Sequence, residues 1–174
     1  MPSKTPELFV WDTCCLLGLF NNEQDKVAGL RYEIAECESG RAQIGIPTAV
    51  MGEVVRLNDD QPADKVLEAF LENRFVQPLN TTPEIGVLTS KLGFRFDLRG
   101  QPELMQRATE SGCPPDQRRL KAKDAEILAT AIFYKAVRLT TYDPLLRFIG
   151  SEFVNAEYGI VVGPPDSSFL PFES

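Results

Sequence analysis

The chain of 174 residues contains no histidine. That absence excludes a Ser-His-Asp triad and a Cys-His pair, and with them any zinc site built on histidine ligands. Cysteine is scarce: Cys14, Cys15, Cys37 and Cys113, with no CxxC pair among them. Neither a disulfide framework nor a thiolate zinc site follows from that spacing. Cys14 and Cys15 stand among Leu16, Leu17 and Leu19 and read as small core residues. No apolar run approaches the roughly 20 residues that span a bilayer. The opening "MPSKTPELFVWD" lacks the apolar segment and cleavage site of a secretory signal. A cytoplasmic protein without a membrane partner is expected. Positive charge is also short, with 18 Lys and Arg against 25 Asp and Glu and a net charge of -7, which argues against a generic nucleic-acid coat. Any catalysis therefore falls to carboxylates, lysines, thiols or a bound metal.

What is present suits one domain with a real core. "LFVWD" (8–12) reads as a buried strand and "TCCLLGLF" as a helix. Residues 21–40 form a helix with Leu30, Ile34 and Cys37 on one side and Gly40 as its stop. "AQIGIP" (42–47) is a second strand, followed by Thr48 as candidate N-cap of the helix "AVMGEVVRLN". A further helix over 62–74 opens at Pro62, and "FVQPLN" is extended. Residues 80–120 hold two helical stretches split near Gly100, and "CPPDQ" ends the second. "LKAKDAEILATAIFYKA" (120–136) is a strong helix with Ala125, Leu128, Ile132 and Ala136 at helical spacing. "VRLTTYD" (137–143) is a strand, "PLLRFIG" a short helix and "GIVV" (159–162) a last strand. Alternating strands and helices predict an α/β fold with a parallel sheet covered on both faces. One domain over 1–163 is expected, with a tail at 164–174.

In such a sheet, ligands gather at the C-terminal ends of the strands. Asp12 ends the first strand and Asp143 ends "VRLTTYD". Each also reads as a helix N-cap. Glu53 has Ala49, Val50, Arg56 and Leu57 as helical neighbours, so its carboxylate borders an apolar side. Its stem can equally pack there while its head reaches water. Asp124 opens the "DAEILATA" helix, where a first-turn acid also suits the helix dipole. Four carboxylates at one end of a sheet would repel if buried without a counter-charge. Such a group suits hard divalent cations, Mg²⁺ or Mn²⁺.

"FVWDTCCLLGLF", "IPTAVMGEVVR", "KDAEILATA" and "LTTYDPLL" resemble, in order, the four motifs of the PIN-domain nucleases. The resemblance implies a three-layer α/β/α sandwich around a parallel sheet of four to five strands. It implies Asp12, Glu53, Asp124 and Asp143 as a catalytic, metal-binding tetrad, with Thr13 and Thr141 in support. It also implies a ribonuclease using one or two Mg²⁺ or Mn²⁺ ions and leaving 5′-phosphate and 3′-hydroxyl ends. Many bacterial members are VapC-type toxins silenced by a small cognate antitoxin, and the resemblance implies a homo-oligomer formed through the helical middle region. Two divalent ions would add four positive charges and bring the net -7 to about -3. "RRLKAK" (118–123) sets Arg118, Arg119, Lys121 and Lys123 before Asp124, as a grip for RNA phosphates or as a solvated face. Phe94, Phe96 and Tyr142 could stack bases, though core packing is the expectation for the first two. Two other readings stay open. One is a catalytically silent PIN-fold module that binds RNA or protein. The other is an aspartyl phosphatase, which needs a second acid where this chain reads "DTCC".

Overall fold

The computed structural model describes residues 5–57 and 63–165. Pro62 and most of the expected tail, residues 166–174, lie outside them. Five strands form one sheet: β1 (Glu7–Trp11), β2 (Ala42–Pro47), β3 (Val76–Leu79), β4 (Arg138–Thr140) and β5 (Val161–Gly163). Their order is β3-β2-β1-β4-β5 and every pairing is parallel. Between them run α1 (Thr13–Phe20), α2 (Gln24–Glu38), α3 (Thr48–Leu57) and α4 (Ala63–Leu71). Then come α5 (Pro83–Arg95), α6 (Pro102–Glu110), α7 (Ala122–Phe133), α8 (Pro144–Ile149) and α9 (Asn155–Tyr158).

Successive side chains of a strand point to opposite faces. Val10 and Trp11 are adjacent and both fully buried, so both faces of β1 are covered. That is the signature of a parallel sheet held between helical layers. The expected α/β/α arrangement is therefore present, with β1 and β4 paired at its centre. The 80–120 segment is helical as expected, and α5 packs along α7. An antiparallel bridge joins Asp97 to Arg119, which ties the connection before α7 to the end of α5.

Several local expectations shift. Gly40 does end α2, with φ +80, a conformation that costs glycine little. Thr48 is not an N-cap. It is the first residue of α3, and its hydroxyl donates to the Leu79 carbonyl, tying α3 to β3. The strand expected over 137–143 keeps ladder pairing only to Thr140, because the chain turns there to present Asp143 to α8. Gly150 follows α8 where the backbone meets β5: a Cβ built there would lie 2.3 Å from the Cβ of Val162. Gly150→Ala should lower stability by about 1–3 kcal/mol through overpacking. A thermal melt checks this, and an unchanged midpoint would mean that β5 moves aside freely.

Candidate active site at the carboxyl ends of the central strands

Asp12 follows β1 in extended conformation and caps α1. Its Oδ1 accepts from the Thr13 amide at 2.6 Å, and its Oδ2 accepts from the Thr141 hydroxyl at 2.7 Å. The carboxylate is only 5% exposed. Thr141, fully buried, accepts in turn from the Asp143 amide at 3.0 Å. One hydroxyl thus spans the ends of the two central strands. Asp143 caps α8 through Oδ1, which accepts from the Leu146 amide at 2.8 Å. Its Oδ2 accepts from the Gln117 side-chain amide at 3.3 Å. The capping and site readings of both acids are compatible, since an N-cap uses one carboxylate oxygen and the lone pairs of the other remain available.

Asp124 lies in the first turn of α7. Its carboxyl is pushed up to about 6, chiefly by burial and then by the charges of Asp12 and Asp143, with Lys123 and Lys121 pulling the other way. The three aspartates therefore feel one another. Glu53 on α3 is half-buried and takes the Lys123 ammonium, with Arg56 at 3.7 Å. Because Lys123 also acts on Asp124, it links Glu53 to the aspartates.

Comparison with known structures adds one finding. The VapBC2 assembly from Rickettsia felis, bound to a DNA fragment from its promoter, matches over 89% of this chain and 96% of the matched chain, with a TM-score of 0.54 and 16% identity. A toxin–antitoxin complex from Klebsiella pneumoniae matches over 77% of this chain and 85% of its own, with a TM-score of 0.52 and 19% identity. This is the PIN-domain fold. No family model and no curated protein matches the chain. At these identities the likeness is one of fold.

Within this fold, two side chains that sequence reasoning left out or placed elsewhere touch the acids, and a third lies buried against the strands that carry them. Cys14 is not a plain core residue. Its thiol donates to Asp12 Oδ2 at 3.3 Å and accepts from the Tyr142 amide at 3.3 Å. Its neighbour Cys15 is fully buried as expected, and its thiol donates to the Thr140 carbonyl. Gln117, in the segment read only as a helix breaker, reaches Asp143. Glu33 on α2 is 3% exposed and lies under the strands. It accepts from Trp11 Nε1 at 2.7 Å and from the Thr140 hydroxyl at 2.9 and 3.1 Å, and Arg138 stands at 3.7 Å. Its spacing, three after Leu30 and four before Cys37, was the available signal, because those positions share the buried side of α2.

The donor chemistry of the candidate site fits a hard divalent ion, since all four acids offer oxygen. Thr13 Oγ1 and Gln117 Oε1 are also buried without a hydrogen-bond partner. Yet among the described residues no three acids or thiols stand close enough, as placed, to clasp one ion. The basic cluster divides. Arg118, Arg119 and Lys121 are exposed, whereas Lys123 is half-buried and occupied by Glu53 rather than facing solvent. Arg118 also donates to the Pro115 carbonyl at 2.9 Å. Among the described residues no helix is long and apolar enough to cross a membrane.

Proposed function

We propose that the chain is a divalent-metal-dependent endoribonuclease, the toxin of a type II toxin–antitoxin pair. The observation that carries this reading is the Thr141 hydroxyl that joins the Asp12 carboxylate to the Asp143 amide at the ends of the two central strands, with the Asp124 carboxyl raised by burial and by both charges. A fold that only needed helix caps would not gather three aspartates from positions 12, 124 and 143. Uncancelled negative charge in a half-buried site is the condition that a divalent cation relieves. Asp12, Asp124 and Asp143 would hold one or two Mg²⁺ or Mn²⁺ ions, and Glu53 would join them when Lys123 moves to another partner. The ion supplies a more acidic bound water and neutralises charge on the phosphoryl oxygens.

The chain's own residues do the rest. The Thr13 amide and Thr141 hydroxyl fix the orientation of the Asp12 carboxylate, because both donate to it. The Leu146 amide does the same for Asp143. Asp124 is mostly ionised at neutral pH even with its raised value. Arg118, Arg119 and Lys121 stand exposed for RNA phosphates. No step requires a histidine. A small antitoxin is the implied partner, as in the Rickettsia and Klebsiella assemblies. Residues 1–163 would form the nuclease unit, acting in the cytoplasm as a homo-oligomer.

A second reading has an observation of its own. Lys123 on Glu53, and the absence of a ready three-carboxylate clasp among the described residues, favour a silent module that binds RNA or protein. Labelled single-stranded RNA incubated with Mn²⁺, with and without a chelator, separates the two. Cleavage confined to the metal-loaded protein is expected. Cleavage that persists in chelator would sink the metal mechanism, and no cleavage of varied RNAs would favour the silent module.

A further inference from the structure

Phe94 was expected in the core, but it is 88% exposed. It lies on α5 four residues after Ser90 and beside Gly93, at the rim of a cavity that those two residues line and it does not. Ser90, Gly93 and Asp97 form one wall of a cavity of about 370 Å³. Arg119, Lys121 and Ala122 form the facing wall. That size lies within the range of small-molecule sites. The wall is held in place by backbone: the Leu98 amide donates to Arg118 at 2.8 Å, and the Leu120 amide to Phe96 at 3.2 Å. Asp97 is paired with Arg99 and also feels Arg119, so the groove sets two cations, Arg119 and Lys121, against one carboxylate that is already paired. Lys121 is the N-cap residue of α7, three residues before Asp124 in its first turn, so this end of the groove lies at the start of the helix that carries Asp124.

We infer that this groove seats one nucleotide of single-stranded RNA beside the scissile phosphate, with Phe94 stacked on its base and Arg119 and Lys121 facing its phosphates. The inference rests on the ribonuclease reading for the word scissile, but the binding itself does not. Base stacking on an exposed ring tolerates any sequence, because every base has a π-face. Cations beside the ring track the backbone. A folded protein partner would be served better by an apolar rim, and this groove presents two cations and a hydroxyl-bearing wall instead. The ring sits on a rigid helix that packs against α7, the helix carrying Asp124. A base held there would fix the distance between the bound strand and the acids.

Binding of a short labelled oligoribonucleotide, measured in chelator so that nothing is cut, tests this. Phe94→Ala should weaken binding about tenfold, at the lower end of what one base–aromatic stack contributes. Gly93→Leu should do the same by filling the groove, and it should fold, since a Cβ at Gly93 meets nothing within 4 Å. Arg119→Ala should weaken binding and flatten its salt dependence. Phe94→Trp should restore affinity, and its emission should be quenched on titration. The native Trp11 is fully buried and would not report. Native affinity in both Phe94→Ala and Gly93→Leu overturns the inference, as does failure of the native chain to bind RNA. A dimer that Phe94→Ala dissociates while RNA affinity is unchanged would assign the ring to a second copy and also overturn it. RNA bound through Phe94 but never cut with Mn²⁺ would uphold the groove and remove the nuclease reading.

Discussion

In chelator, Asp124→Asn should melt about 3–6 °C above the native chain, and with Mn²⁺ it should cut RNA at least about a hundredfold more slowly. Both effects have one cause. The carboxyl at position 124 is pushed up to about 6 by burial and by two neighbouring aspartates. An ordinary aspartate sits near 3.9, so at neutral pH the fold holds a charge that it opposes. Asparagine keeps the shape and removes the charge. Discounted for partial exposure, the relief is about 1–2 kcal/mol. The sign of the pH dependence follows. The folded chain binds the proton more readily than the unfolded chain, so stability falls as pH rises through about 4 to 6 and recovers on acidification. Asp124→Asn should lack that component. Mn²⁺ should raise the melting point of the native chain and leave the variant nearly unmoved. Equal melting points in chelator would mean that the aspartates do not share a field.

Glu33→Ala should be the most damaging change outside the acids, at about 3–5 kcal/mol and roughly 10 °C or more in melting point. The loss does not come from the carboxylate alone. Trp11 Nε1 and the Thr140 hydroxyl direct their donors at Glu33 and would be left buried without an acceptor, while Arg138 would lose its counter-charge and keep only the Pro164 carbonyl. Burial raises the carboxyl, while the bonds from Trp11 and Thr140 and the charge of Arg138 hold it down. Glu33→Gln keeps an acceptor for the indole and should cost much less. Trp11 is the single tryptophan, so its emission reports on the site directly. A native melt and native emission in Glu33→Ala would show that the network contributes nothing.

Much of the candidate site's placement was legible because strand ends and helix starts are marked by local chemistry. Asp12 and Asp143 stand where an apolar run stops, and Asp124 stands where a helical stripe begins. The parallel sheet was legible in the alternation of elements. The rest depended on long-range placement. Cys14 looks like its neighbour Cys15, yet the two point differently: one into the core, the other to Asp12. Composition cannot separate them. Phe94 and Phe96 are two residues apart on and after α5, and one is 88% exposed while the other is buried. Which side of that helix faces α7 decides it. Lys123 reads as the last of a basic run, but the half-buried Glu53 across α3 claims it.

The pairing of β1 with β4 brings together Asp12 and Asp143, which are joined through a single threonine hydroxyl. Strand β4 lies late in the chain, after α7. A chain emerging from the ribosome therefore carries Asp12 and Glu53 for most of its synthesis with no partner aspartates beside them. Closing a loop of that length is a slow, late event in folding. The acids can meet only once the polypeptide has passed residue 143, so a nascent or truncated chain cannot assemble the candidate site.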